Sequence, residues 1–533
     1  MDVVDCYVDL SLKEVIEDPT ALLEKLDCGS FRELRWFSLK GVEEVRFEVV
    51  DFVAFPHGPK HSLLVLAVAE FTGRDGHLGV RSKVTTFLPM MVYFSCRDVG
   101  QDYASLSLDE AFVSPGATML LEVSGKDFYA RIVDASALPE YCRNVMNGIS
   151  DEVIVSSRFG GCFSYRKLDN YRGFSNVDVF EVAKGESSNS LALARSLVLV
   201  KTARNISCDA KPEGEIMRDL RAFGGFESVP KVYGELCYER EEAWNGERLV
   251  LCTCQQYLED AVSCFNFGLE CLSQHLRSGE HDVFGFSDGS MMVKIGTLLA
   301  EMHFAMAKCN SESTCVNDVG AALFREFEEV AHLASEKVST LEGNADDETI
   351  SRLCEEFGNI YSDLMKASKE ICGNFRDSYV SKCHQDMHLG QILISNGKLY
   401  VSDFEGEPMR SSYRKASVDT PLKDVASMLR SFSYLKEIAL NSHENRTTSH
   451  EELLRRWEDK ARKSFLKGYV DKGVRLESEF FASHNHWEAS GLIVLFEVEK
   501  CLKEIVYELE NRPEYVVIPL KHFKGLCNGL AGE

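Results

Sequence analysis

Hydrophobic and polar positions along the chain change their period near residue 260. Before that point, Val45-Arg-Phe-Glu-Val-Val-Asp-Phe-Val-Ala54 alternates and Leu63-Leu-Val-Leu-Ala-Val-Ala-Glu-Phe71 is a nearly unbroken apolar run, both strand signatures. Pro56-His-Gly-Pro59 separates the two, and Gly73-Arg-Asp-Gly76 predicts a turn after the second. A second strand-rich stretch opens near Val153 and contains Leu191–Ala194, Ser196–Lys201 and Arg248–Cys254. Between its later strands a helix is predicted from about Pro212, a residue suited to a first helical turn. Beyond residue 260 the period is helical over Met291–Lys308, Ala321–Leu341, Glu348–Ile371, Leu422–Leu440 and Gly491–Asn511. One short strand, Lys398–Asp403, interrupts these helices. The pattern predicts an α+β chain in three parts: a strand-rich region over 1–150, a second over 151–258 and a helical region over 259–533.

Charge narrows the range of functions. The 533 residues include 59 Lys and Arg against 84 Asp and Glu, a formal net charge of -25. Nucleic-acid binding and docking on anionic lipid both need a concentrated basic surface, so neither is expected. No apolar run reaches the ~18–20 residues that span a bilayer. Met1-Asp-Val-Val-Asp-Cys6 carries acid where a secretory leader carries base, so the chain is expected to be cytoplasmic. The 18 cysteines form no C-x-x-C pair, and Cys252-Thr-Cys254 lies within an apolar strand, so buried free thiols are expected in place of a zinc site.

The chemistry concentrates in two segments, Cys383-His-Gln-Asp-Met-His-Leu-Gly-Gln391 and Tyr400-Val-Ser-Asp-Phe-Glu-Gly-Glu407. Phosphoryl transfer requires an acid beside the attacking hydroxyl and oxygen ligands for magnesium. Asp386 can act as the base, Gln391 offers an amide oxygen and Asp403 a carboxylate at a strand end. Taken singly, each is more often a cap or turn residue, and His384 with His388 has only the spacing of a helical metal pair, on a segment ending in Leu-Gly. In combination the order is that of the catalytic and metal loops of protein-kinase-like folds. Strands with one helix, followed by mostly helices, fit the same bilobal architecture.

His384-Gln-Asp-Met-His-Leu-Gly-Gln391 with Asp403-Phe-Glu-Gly-Glu-Pro408 resembles the catalytic core of bacterial maltokinases, in the aminoglycoside-phosphotransferase branch of the kinases. Pro421–Tyr434, Glu499–Pro513 with Ile518-Pro-Leu520, and Arg35-Trp-Phe-Ser-Leu-Lys-Gly41 are similar to other segments of that family. The resemblance implies an N-terminal cap domain, a nucleotide-binding lobe and a helical lobe carrying the acceptor site. It places Ser188 and Asn189 in a loop over the nucleotide phosphates and Lys201 on those phosphates, with Glu215 pairing the lysine. It makes Asp386 the general base, has His384 brace the loop, and gives Gln391 and Asp403 to magnesium. Glu405, Lys500, Glu504, Tyr507 and Glu508 are the implied sugar contacts.

Two positions depart from the family. Gln385 stands where a glycine is usual between the loop His and Asp, and Lys503 where a Tyr is common. The resemblance thus implies an ATP- and magnesium-dependent kinase with a sugar acceptor, maltose giving maltose 1-phosphate, working as a monomer or weak homodimer. A glucosamine or other monosaccharide kinase is the alternative that Lys503 favours. A catalytically silent sugar- or nucleotide-sensing module is a further reading, opposed by the presence of Lys201, Asp386, Gln391 and Asp403.

Overall fold

The near-continuous run Leu63–Phe71 is buried throughout except Glu70 because its strand has a hydrophobic core on each face. Leu63, Val65, Ala67, Ala69 and Phe71 point into one core; Leu64, Leu66 and Val68 point into the other. A computed structural model describes residues 6–26, 28–31, 44–57, 62–74, 81–96, 118–136, 138–169, 180–182, 190–194, 198–206, 211–240, 248–278, 285–286, 288–309, 314–317, 319–342, 348–374, 377–406, 418–443, 447–476 and 491–531. It has two compact units, residues 1–214 with 231–258 and residues 215–230 with 259–533.

In the first unit, β1 (Cys6–Tyr7), β2 (Glu44–His57), β3 (Ser62–Arg74), β4 (Arg81–Cys96), β5 (Met119–Ser124) and β6 (Phe128–Asp134) form a sheet of order β1-β5-β6-β4-β3-β2. Pro56 is tolerated because β2 is an edge strand. The helices α1 (Leu12–Glu17) and α2 (Thr20–Leu23) supply Leu12, Val15, Leu22 and Leu23 to the core on one face. Against the other face lie α3 (Pro139–Asp151) and a second sheet. That sheet joins β7 (Ile154–Ser156), β8 (Cys162–Lys167), β13 (Val232–Glu239), β14 (Leu249–Gln256), β11 (Val198–Thr202), β10 (Ser190–Ala194) and β9 (Phe180–Val182) in this order. Between them in sequence, β12 (Asn205–Ile206) leaves the second sheet and pairs with β4 of the first.

Two buried charges join the sheets. Asp51 is fully buried and accepts five hydrogen bonds: from the amides of Phe52, Phe159 and Gly161, the Ser157 hydroxyl and the Tyr238 hydroxyl. Arg204, just before β12, is also fully buried and places Nη2 2.7 Å from both oxygens of Asp134 at the end of β6. Its Nε donates to Ser190 of the second sheet and its Nη1 to the carbonyl of Phe87 in the first.

The second unit is mostly helical. It holds α5 (Cys264–Ser278), α6 (Ser290–Cys309), α7 (Gly320–Glu342), α8 (Glu348–Asn374), α9 (Leu422–Asn441), α10 (Thr448–Arg475), α11 (Leu492–Asn511) and α12 (Val517–Ala531), with the last two turns and more of α4 (Glu213–Ala222). Small ladders pair β16 (Thr314–Asn317) with β17 (Asp377–Val380), and β15 (Val262–Ser263) with β18 (Ile392–Ser395) and β19 (Lys398–Val401). The five helices expected beyond residue 260 all form, within three residues of the expected ends. The fourteen cysteines whose side chains are described are free thiols, among them the buried Cys252 and Cys254. Among the described residues no helix is long and apolar enough to cross a membrane.

Replacing Arg204 by Met strands the buried Asp134 carboxylate, so it should destabilise the first unit by about 3–5 kcal/mol. Adding Asp134→Leu should recover most of that loss, as read by urea unfolding followed by tryptophan fluorescence and circular dichroism.

Candidate active site

The two motif segments are brought together by a tight hairpin. β18 and β19 pair Ile392 with Val401 and Ser395 with Lys398, leaving Asn396-Gly397 as a two-residue turn. Both turn residues have positive φ, 50° and 72°, the demand of the hairpin turn that Asn-Gly satisfies best. The register carries Gln391 back beside Ser402: the Ser402 amide donates to the Gln391 carbonyl at 3.0 Å. The next residue is Asp403, also in the left-handed region at φ 68°. Its Oδ2 lies 3.0 Å from the Gln391 side-chain amide. These two groups, twelve residues apart, are close enough to share one ion: oxygens bound at right angles to magnesium at ~2.0–2.1 Å lie about 2.9 Å apart.

The catalytic loop is held from behind by α9. Asp424, in its first turn, accepts the His384 amide on Oδ2 and the Gln385 amide on Oδ1, each at 2.8 Å, and meets His303 Nε2 at 3.1 Å. Burial raises the Asp424 pKa, but His303 and the His384 amide outweigh it and hold the carboxyl below its ordinary value. Gln385 takes φ 68°. The glycine usual at this place in the resembling family thus has a conformational reason, and here Asp424 holds a side-chain-bearing residue in the same shape. The buried His384 bonds through Nε2 to the carbonyl of Ser402 at 3.0 Å and lies against the Phe404 ring, fixing the loop to the strand before Asp403.

Asp386 is half-buried, with Oδ1 3.0 Å from Nζ of Lys500 on α11. A small cavity that shares Lys500 with it is lined also by Gln385, Asp419, Lys423, Asp424, Phe496, Glu499 and Lys503. Its charges are balanced locally. Lys503 pairs with Glu499 at 2.8 Å, and Lys423 reaches Glu326 at 2.6 Å, Asp419 at 3.3 Å and Glu499 at 3.9 Å. Glu499, Lys423 and Asp419 were not singled out in the sequence; a Lys-Glu pair one turn apart is the ordinary signature of a solvated helix face.

Other expected contacts on α11 are engaged in packing. Glu504 pairs with the buried Arg430 of α9 at 2.7 Å, and burial pushes its carboxyl above the ordinary range despite Arg430 and Lys500. Glu508 accepts from Tyr434 at 3.1 Å and from Arg512 at 2.8 Å. Tyr507 is exposed and has the Arg512 guanidinium over its ring. Glu405 is half-buried, two residues beyond Asp403.

In the first unit, Lys201 on β11 pairs with Glu213 at the start of α4, 2.6 Å apart and both largely buried. Glu213 was not singled out in the sequence; Glu215, the implied partner, follows two residues on along the same helix and is half-buried. Ser188 and Asn189 lie outside the described residues.

No family model matches the chain. A solved glucosamine kinase (crystal form B) superposes on it with a TM-score of 0.61 at 16% identity, covering 91% of this chain and 94% of that one. The fold is that of the solved glucosamine kinases. A second such structure, glucosamine kinase in complex with glucosamine, ADP and inorganic phosphate, gives a TM-score of 0.59 at 15% identity over 91% of this chain and 94% of that one. By sequence, the glucosamine kinase of Streptacidiphilus jiangxiensis is 23% identical over 339 residues, 63% of this chain and 70% of its own. That of Mycolicibacterium smegmatis (strain ATCC 700084 / mc(2)155) is 24% identical over 345 residues, 64% and 79%.

Replacing Asp424 by Asn turns an amide N–H toward one of the two loop amides that its carboxylate accepts. It should cost about 2–3 kcal/mol of stability and, by letting Asp386 shift, on the order of 100-fold in turnover. Thermal unfolding and steady-state kinetics check the two effects separately.

Proposed function

We propose that this chain is an ATP-dependent carbohydrate kinase that uses magnesium and phosphorylates a hydroxyl of glucosamine or a closely related monosaccharide. The observation that carries the reading is the grouping on one loop and hairpin of a carboxylate beside a small polar cavity, Asp386, with the Gln391 amide and the Asp403 carboxylate 3.0 Å apart. The two glucosamine kinases similar in sequence and the two solved glucosamine kinases described above support the same class of reaction.

Asp386 accepts the proton of the attacking hydroxyl. Lys500, bonded to Oδ1, fixes the carboxylate. Gln391 and Asp403 hold the magnesium ion, which when bound neutralises charge on the transferring phosphate. Lys201, steadied by Glu213, meets the nucleotide phosphates, with Glu215 further along α4 and the Ser188-Asn189 loop as additional contacts. His384 keeps the loop on the strand that ends at Asp403.

The acceptor cavity favours a small amino sugar. Asp419 and Glu499 offer carboxylates to an ammonium group, with lysines close enough to exchange partners. Lys500 and Glu405 are the proposed contacts to ring hydroxyls, while Glu504, Glu508 and Tyr507 hold α11 in place behind them. Maltose, implied by the resemblance of the motifs, fits less well. Where an aromatic face would carry a second ring, Lys503 is ion-paired to Glu499.

A coupled ADP-release assay with ATP and magnesium against glucosamine, glucose, maltose and an aminoglycoside tests this reading. Turnover is expected on glucosamine, with kcat lower by about 10²–10⁴ in Asp386→Asn. Turnover on maltose alone would overturn the acceptor assignment; binding of nucleotide without turnover on any acceptor would overturn the kinase.

A further inference from the structure

We propose that His388 is the residue that turns the oxygen of the Gln391 side-chain amide toward Asp403, and so sets the affinity of this pair for a divalent cation. The inference rests on the proposed role of Gln391 and Asp403 as magnesium ligands.

The imidazole is pinned on one side. His388 caps the single turn Leu389–Gln391, and its Nδ1 accepts the Gly390 amide at 3.0 Å. The ring lies so close over position 390 that a Cβ there would stand 2.6 Å from Cε1 and 2.7 Å from Nδ1, so only glycine fits. An Nδ1 that accepts a backbone N–H carries no proton. The ring's proton is therefore on Nε2, and Nε2 is a donor.

That donor faces the Gln391 amide at 3.3 Å. The nearest oxygen of Asp386 is 4.0 Å away, beyond hydrogen-bond reach. The same terminal atom of Gln391 is also 3.0 Å from Asp403 Oδ2, an acceptor. A single amide atom is thus asked to serve a donor and an acceptor at once. With nitrogen in that place, as in the structure, Gln391 donates to Asp403 but sets its N–H against that of His388. With oxygen there, it accepts from His388 but faces the oxygen of Asp403. A cation between the two oxygens removes the second conflict but not the first. His388 therefore favours the amide orientation that a metal ion needs, and disfavours the one that would close the site by a direct Gln391–Asp403 hydrogen bond. Outer groups that orient a metal ligand in this way commonly change metal affinity by 10–100-fold.

The experiment separates this role from a structural one. Asparagine is a good cap and accepts the Gly390 amide as histidine does, but it is too short to donate to Gln391. In Gln391→Glu both terminal atoms are oxygens, so no orientation remains to be chosen. Mn2+ binding in the presence of ADP, read by electron paramagnetic resonance, is compared across the wild type, H388N, Q391E, H388N/Q391E and Q391A, with thermal unfolding as the control. H388N should bind Mn2+ about 10-fold more weakly than the wild type with an unchanged unfolding midpoint, and should cause no further loss in the Q391E background.

An equal loss in both backgrounds would overturn the proposal, as would normal binding by H388N while Q391A binds weakly. Normal binding by Q391A would instead overturn the ligand assignment on which the proposal stands. Should H388N fail to fold, 15N resonances of the wild-type imidazole decide the tautomer: protonation on Nε2 supports the proposal, and protonation on Nδ1 overturns it.

Discussion

The amides of His384 and Gln385 both end on the carboxylate of Asp424, and around that junction the catalytic loop takes its shape. Gln385 has a backbone conformation that costs a side-chain-bearing residue roughly 1–2 kcal/mol. Two charge-assisted hydrogen bonds, together with the bond from His303, are enough to hold it there. That fixed backbone leads into Asp386, and through His384 and the Ser402 carbonyl the loop is tied to the strand before Asp403. The shape of the loop is thereby set by a residue some forty positions away in sequence.

The remaining electrostatics of the helical unit follow a related rule. Buried or half-buried charges are matched in short chains: Arg430 with Glu504, Arg462 with Glu497, Lys423 with Glu326 and Asp419. Each pairing joins different helices or a helix to a loop, and removing one member would leave the other desolvated. Beside the cavity Lys423 has three carboxylates within 4.0 Å, so it can lose one partner without being left uncompensated.

Much of this was legible in the residues, where the physical signal is local. Unbroken apolar strands and helices with a strong apolar stripe appear as expected, and the spacing of Asp386, Gln391 and Asp403 foretold a loop, a hairpin and a returning carboxylate. The long helix α10 went unread because its buried stripe includes Ala461 and Gly468 among many charged residues, which leaves the periodicity faint. Glu213 went unread because which carboxylates of a helix's first turn reach a strand depends on the phase of the helix start, which side-chain pattern does not fix. Asp424 gave no sign of its role: it meets the loop across some forty residues of sequence, and only packing reveals that both its oxygens are taken. The carboxylates of α11 divide in the same way, since whether a helix face meets a cavity or a neighbouring helix is a tertiary matter.

Asp51 has a temporal consequence. Its carboxylate sits in an early strand, yet the Tyr238 hydroxyl that bonds it arrives 187 residues later. At ~5–20 residues per second that is an interval of about 10–40 s on the ribosome. Arg204 likewise reaches Asp134 only after a further 70 residues have been made. The nascent first sheet therefore waits with two carboxylates short of their full set of native partners and with the segment that β12 will pair still open along β4. Chaperone demand during synthesis should thus fall on this N-terminal region, and the release point should come after residue 238, once both carboxylates have been answered.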